Sequence, residues 1–256
     1  MKRLCLIVLL LAVAATASGN EPRAGSEAVQ LRGLVAGLLR DNAQFARERK
    51  PSYFQSFAAG QQPRATVVSC ADARMTEQAL DQSPDNDLYV VRDLGNQIAT
   101  AEGSVEYGVR RLNTPLLIIV GHVACDAVKV VQEGGERISP ALRRELAGIR
   151  LPARIAGSDE AEEWLRGVQD NVNNQVAYAL QKFAPEVKHG KLTVLGTIYD
   201  FQNAMQQGRG RLVVTNVNGA TDTAGLLSQL MRISGSGALL IDKTAADRAA
   251  DNRAKH

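Results

Sequence analysis

The chain has 256 residues, 45% of them hydrophobic and only 4% aromatic, so its core must come from Val, Ile, Leu and Ala. Thirty Lys and Arg against 27 Asp and Glu give a formal charge of +3. Loss of Lys2 and Arg3 with a cleaved amino-terminal segment lowers that to about +1, too close to neutral to favour nucleic acid as a partner.

Residues 1–17 read as a secretory signal. Lys2 and Arg3 form the basic start, residues 4–15 the apolar middle, and Ala15-Thr16-Ala17 a small-residue cleavage site. The apolar run is shorter than the roughly 20 residues that span a bilayer, so the expectation is export to the periplasm or medium with no stable membrane insertion after cleavage. Residues 18–64 form an N-terminal helical arm. Val29, Leu31, Leu34, Val35, Leu38, Leu39 and Phe45 recur at helical spacing over 26–48, with Ser26 to cap the start and Pro51 past the end. A helix ahead of the first strand has no crossover to make, which points to packing on a second copy of the chain.

Residues 65–244 are expected to form one α/β domain. Strands are predicted at 65–69, 87–91, 115–120, 192–198 and 211–217, with helical segments at 72–80, 96–112 and 122–133 between the early ones. The alternation implies a mostly parallel central sheet flanked by helices. The last two strands are separated by a loop containing Gly208 and Gly210, so a hairpin and an antiparallel last strand are expected. Residues 139–160 carry Pro140, Gly148, Pro152 and Gly157 and read as irregular. Helical spacing returns over 161–183, through Trp164, Val168, Val172 and Val176. Leu226, Leu227, Leu230 and Met231 read as core packing, and the small, charged stretch 245–256 as a fraying tail.

With Cys5 in the signal, two cysteines remain. Cys70 opens Cys70-Ala71-Asp72-Ala73-Arg74, and Cys125 closes His122-Val123-Ala124-Cys125; each run follows an apolar, β-branched stretch. Two thiolates and one imidazole offer Zn²⁺ three ligands and leave a fourth position open, the catalytic rather than the structural pattern. A disulfide between the two cysteines is the alternative in an oxidising compartment. His122, Asp72 and Arg74 beside them favour the metal. Ligands of open parallel sheets gather at the carboxyl ends of strands, so the two runs converge if their strands are neighbours. His122 and Cys125 are expected at i and i+3 on a first helical turn, sharing a face. Asp72 can accept a hydrogen bond from metal-bound water or enter the open position itself, with Arg74 holding it in a bidentate pair. His189 and His256 lack ligand spacing and read as solvated.

These motifs in this order resemble the β-class carbonic anhydrases, whose pattern is Cys-x-Asp-Ser-Arg, Arg-Asn-x-x-Asn and Gly-His-x-x-Cys-Gly. The counterparts are Cys70 to Arg74, Arg92-Asp93-Leu94-Gly95-Asn96 and Gly121-His122-Val123-Ala124-Cys125-Asp126, and Gly196-Thr197-Ile198-Tyr199-Asp200 looks like the family's late strand. The resemblance implies zinc ligands Cys70, His122 and Cys125 and a catalytic dyad of Asp72 and Arg74. It implies a dimer or higher homo-oligomer with the substrate pocket built across the interface, and Gln61, Tyr89 and Tyr107 as pocket residues, core packing being the alternative for the tyrosines. The reaction it implies is hydration of carbon dioxide to bicarbonate by a zinc-bound hydroxide, with water in the fourth position. Val67, where a subclass closed by this aspartate carries tryptophan, favours the open form. Alternatives are hydrolysis of carbonyl sulfide or carbon disulfide on the same site, or a non-catalytic zinc-binding protein. The last is motivated by three departures: Ala73 for serine, Asp93 for asparagine beside Arg92, and Asp126 for glycine.

Overall fold

A computed structural model describes residues 27–135 and 138–234. The signal segment and the 245–256 tail lie outside the described residues. The chain divides into two units, one ending at Ala59 and the other beginning at Gly60.

In the first unit, α1 (Glu27–Glu48) and α2 (Pro51–Ala58) are joined by Arg49 and Lys50. Pro51 starts α2 because its missing N–H is one that a first helical turn leaves unbonded anyway. An aromatic cluster closes the turn: the Tyr53 ring lies edge-on to Phe54 at 5.1 Å and to Phe57 at 4.9 Å, and the Arg49 guanidinium sits 3.9 Å over Phe45. Val29, Leu31, Leu34, Leu38 and Leu39 of α1 are exposed in the single chain. No described helix is long and apolar enough to cross a membrane.

The second unit is built on a five-stranded sheet: β1 (Ala65–Cys70), β2 (Leu88–Asp93), β3 (Leu116–His122), β4 (Thr193–Asp200) and β5 (Arg211–Val217). Their order is β2-β1-β3-β4-β5, with β5 antiparallel to β4 and all other neighbours parallel. All six residues of β1 are buried, as a central parallel strand covered on both faces requires. From β1 the chain steps to one side for β2 and then to the other for β3, so the sheet's switch point lies between the carboxyl ends of β1 and β3. In the hairpin, the buried Asp200 carboxylate accepts from the backbone amides of Gln202, Ala204 and Met205 and so folds the loop back.

Between strands come α3 (Glu102–Glu106), continued by a π-helical turn over Tyr107–Arg111, then α4 (Asp126–Gln132), α5 (Pro140–Leu146), α6 (Glu160–Lys182), α7 (Ala184–Lys188) and, after β5, α8 (Thr223–Ser234). Helix α6 packs on β3 and β4 through Val168, Val172 and Val176, all fully buried. Three local expectations change. Residues 72–80 are a turn with a single short 3₁₀ helix at Glu77–Ala79, because the Asp72 carboxylate takes the Arg74 amide and competes with helix formation. Residues 139–160 include a full helix, α5, with Ser139 as its N-cap and Pro140 in its first turn. Of the four α8 residues read as core, Leu230 is buried, but Leu227 and Met231 are exposed.

Candidate metal centre

Cys70 is the last residue of β1 and His122 the last of β3. The register pairs Ser69 with Val120, so the two side chains emerge next to each other at the switch point. His122 and Cys125 do not share a helical turn as the spacing implied. His122 still belongs to β3, Ala124 takes a left-handed φ of +53°, and Cys125 is the extended N-cap of α4. That strained Ala124 turn brings the Cys125 sulfur back over the end of β1. Cys70 Sγ and Cys125 Sγ are 4.0 Å apart, and the ligand atoms of Cys70, His122 and Cys125 all lie within 4.8 Å of one another. Both cysteines are free, their sulfurs well beyond the roughly 2.05 Å of a disulfide.

The donor set suits a metal ion. His122 is fully buried, and its Nδ1 hydrogen-bonds the Val123 carbonyl at 2.9 Å. A carbonyl only accepts, so in the neutral ring Nδ1 carries the proton and Nε2 presents a lone pair. Buried Nε2 has no hydrogen-bond partner. Such an orphan is costly unless something occupies the space it faces. The Cys125 thiol donating to Cys70 lowers the Cys70 pKa, against burial and with help from the Gly95 amide. The same bond and burial raise Cys125, while the Ala127 and Val128 amides at the start of α4 oppose the rise. One thiolate is thus already favoured before any cation binds.

Asp72 stands beside this cluster, its Oδ2 3.8 Å from His122 Nε2. Arg74 grips it: Nε and the backbone amide donate to Oδ1 at 2.9 and 2.8 Å, and Nη2 donates to Oδ2 at 2.5 Å. Arg74 side-chain donation holds the Asp72 carboxyl well below the usual carboxylate range, against a smaller contribution from burial. Arg74 Nη2 also donates to the Ala124 carbonyl at 2.9 Å, tying the dyad to the strained turn. Arg92 braces the turn after β1 by donating to the Cys70 and Asp72 carbonyls at 3.1 and 2.7 Å.

The three departures fall outside these bonds. Ala73 is exposed on the turn. Asp126 opens α4, where a carboxylate complements the helix dipole. Asp93 does not lie against Arg92. It is buried and accepts from the Gln97 amide at 2.7 Å and the Thr100 hydroxyl at 2.6 Å, and burial pushes its carboxyl up to about 6.

Gln61, Tyr89 and Tyr107 lie elsewhere. Gln61 is exposed just ahead of β1, and Tyr89 pairs with Thr66 near the amino ends of β1 and β2. Tyr89 is four residues before Asp93, the neighbour of Cys70, a strand distance of about 13 Å. Tyr107, 45% exposed, places its ring 6.0 Å from that of Tyr89. The structure therefore joins the two tyrosines to each other and not to the cysteines of their own chain.

Two contributors escaped the motif reading. The Phe201 ring stacks on His122 at 6.2 Å and lies 5.1 Å from the Arg74 guanidinium. It follows β4, the other neighbour of β3, so the strand order was the missing signal. Trp164 of α6 donates from Nε1 to the Cys125 carbonyl at 2.8 Å, across 39 residues of sequence. Gly121, beside His122, lets α6 come close: a Cβ there would lie 2.6 Å from Val172 Cγ2.

Known proteins resemble this chain in sequence and in fold. The sequence family described as carbonic anhydrase matches residues 65–206. Carbonic anhydrase 2 of Mycobacterium tuberculosis is 30% identical over 159 residues, covering 57% of this chain and 74% of the relative. The carbonic anhydrase of Synechococcus elongatus is 29% identical over 194 residues, covering 68% and 69%. Among solved structures, the Coccomyxa β-carbonic anhydrase in complex with acetazolamide superposes with a TM-score of 0.61 at 20% identity, over 80% of this chain and 98% of that one. A tetrameric β-carbonic anhydrase of Sordaria macrospora gives 0.60 at 21% identity, over 72% and 96%. The shared fold and the match over the whole span from Cys70 to Phe201 place the chain in the β-class carbonic anhydrase family.

Proposed function

We propose that this protein hydrates carbon dioxide reversibly to bicarbonate and a proton, on a zinc ion held by Cys70 Sγ, His122 Nε2 and Cys125 Sγ. The buried, unpartnered His122 Nε2 facing two thiols, next to a fully tethered Asp72, carries the reading. Zinc, when bound, supplies Lewis acidity that brings the pKa of water from 15.7 toward about 7. The chain supplies the rest. Asp72, held ionised by Arg74, accepts a hydrogen bond from the attacking water and fixes its direction. Arg74 fastens that carboxylate to the Ala124 turn, so Asp72 has little freedom to swing onto the metal. The Phe201 ring stacks on the His122 imidazole and covers that side of it. Ala73, Asp93 and Asp126 leave every one of these contacts whole, which favours an enzyme over a non-catalytic zinc carrier.

The substrate pocket is shared between subunits in this reading. Tyr89 is a strand's length from its own Cys70 and Tyr107 lies against it; with the exposed Gln61 they serve the site of a second copy. The exposed apolar face of α1 gives that copy a surface to bury. The Sordaria relative is a tetramer, in keeping with a dimer or higher assembly here. Residues 1–17 support export to the periplasm.

Metal analysis, thiol titration and stopped-flow hydration on the purified mature protein test the proposal together. We expect about one zinc per chain, two thiols released only on chelation, and hydration lost with the metal. A metal-free Cys70–Cys125 disulfide in freshly exported protein would overturn it.

A further inference from the structure

Helix α6 reaches the site at a second point. Trp164, Val168, Asn171 and Gln175 follow one another at spacings of four, three and four residues, so they share the face turned to the sheet. Asn171 is 1% exposed, surrounded by the valines of that face, and its Nδ2 donates to the Gly95 carbonyl at 2.8 Å. Gln175 backs it up, accepting from the Ile98 amide at 2.9 Å and donating to Asn171 Oδ1 at 3.4 Å. The peptide so held is unusual. Gly95 and Asn96 take consecutive left-handed φ values of +79° and +50°, and a Cβ on Gly95 would meet Ile149 Cδ1 at 2.5 Å. In that conformation the Gly95 N–H points at Cys70 Sγ, 3.5 Å away. A buried amide on an apolar stripe costs stability unless its bonds are made, and a leucine would fill the same space without that requirement.

We propose that Asn171 is a positioning residue for the metal-binding sulfur of Cys70: by holding the Gly95 carbonyl it fixes the Gly95 backbone, so that the N–H on the other side of that residue withdraws electron density from the sulfur and sets the sulfur's donor strength. The inference rests on the zinc reading above. Hydrogen bonds to metal-bound ligands tune both affinity and electronic structure, and their loss typically costs 10–100-fold in affinity. Trp164 acts on the other cysteine through its carbonyl, a bond that fixes position and leaves the sulfur untouched. Helix α6 thus places Cys125 and tunes Cys70.

Cobalt(II)-substituted protein provides the test, because its sulfur-to-metal charge-transfer absorption reports thiolate donor strength directly. Asn171→Leu keeps the branched shape, with somewhat more bulk, and removes the donor. We expect the band to move to longer wavelength, because the sulfur loses a withdrawing contact, and zinc affinity, measured by chelator competition, to fall roughly tenfold or more, because the sulfur is no longer held in place. Asn173→Ala removes a comparable bond on the same helix, from Asn216 Nδ2 to Asn173 Oδ1 at 2.8 Å, with no path to Cys70, and should leave the band in place. If Asn171→Leu does not fold, Asn171→Ser, whose hydroxyl is too short to reach Gly95, must show the shift. An unmoved band in a folded Asn171 variant, or an equal shift in Asn173→Ala, overturns the inference and leaves the zinc reading standing. A wild-type protein with no sulfur–cobalt band overturns both.

Discussion

The two ends of the parallel strands are built differently. At the carboxyl ends, Cys70, His122 and Asp72 are buried or nearly so and held by bonds from four separate segments: the Arg74 turn, Arg92, the Ala124 turn and the Gly95 peptide. At the amino ends, Gln61 is exposed, Tyr107 is nearly half-exposed, and Tyr89 is half-buried, with ring contact between the tyrosines. One end is complete in a single chain and the other is a surface. A reaction centre must fix its groups to within a fraction of an ångström, and bonds from several directions do this. A wall that closes over a small substrate can be supplied by a neighbour instead.

The sharpest way to break this contrast is at the over-determined end. Asp72→Asn keeps the shape but loses the charge, and the amide can no longer accept at both oxygens from Arg74. We expect turnover to fall by about 10²–10⁴, the range typical of a positioned acid–base group, with zinc content unchanged. Because Arg74 holds the Asp72 pKa far below its ordinary value, the group is ionised at any working pH. Its contribution to stability is present above the unfolded value near 4 and is lost only as pH falls through the depressed folded one. A variant with near-normal hydration would remove Asp72 from the mechanism.

At the other end, Tyr107→Ala should raise KM roughly tenfold, the scale of one lost packing contact, with zinc content and melting temperature close to wild type. The two variants can then be combined. If each pocket takes Asp72 from one chain and Tyr107 from its partner, mixing Asp72→Asn with Tyr107→Ala chains yields mixed dimers with one fully native site, so at carbon dioxide well below KM activity rises above either parent after subunit exchange. No gain on mixing would mean that the tyrosines do not serve a neighbour's metal.

The same contrast explains what the sequence discloses. All five strands are legible because apolar β-branched runs such as 65–69 and 115–120 have no competing pattern, and the Gly-rich break at 201–210 announces the hairpin. The ligands follow, since a cysteine and a histidine directly after such runs fall at the carboxyl ends of neighbours. Chain order says nothing about a helix 39 to 76 residues later, so Trp164, which grips the Cys125 turn, and Asn171, which grips the Gly95 turn beside Cys70, pass as ordinary members of an amphipathic pattern. The local geometry at 122–125 is hidden for a related reason. A left-handed alanine has no composition signal, and only the demand that Cys125 return over β1 selects it.

Asp93 offers the mildest test, and it concerns the edge of the well-held end. Asparagine is the family's residue at this position, so the carboxylate looks like a charge added to the site. In the structure it replaces the amide bond for bond. Oδ1 accepts from the Gln97 amide, and Oδ2 meets the Thr100 hydroxyl, which can turn to accept from an amide nitrogen while keeping its bond to the Gln97 carbonyl at 3.3 Å. Asp93→Asn should therefore fold and bind metal normally. What differs is the proton. Burial raises the folded carboxyl to about 6 from 3.8. Below pH 4 it is protonated in folded and unfolded chains alike. Between pH 4 and 6 the unfolded chain releases its proton while the folded one keeps it, so stability falls as pH rises through that window, and the full cost stands above it. At about 1.4 kcal/mol per tenfold change, this is on the order of 3 kcal/mol. Asn at position 93 escapes it. At matched metal content, the variant and wild type should melt together near pH 4, and the variant should melt roughly 6–12 °C higher at pH 7. Equal melting temperatures at both pH values would show that Asp93 is ionised without penalty, and that the carboxyl end tolerates a third acidic group as easily as its surface does.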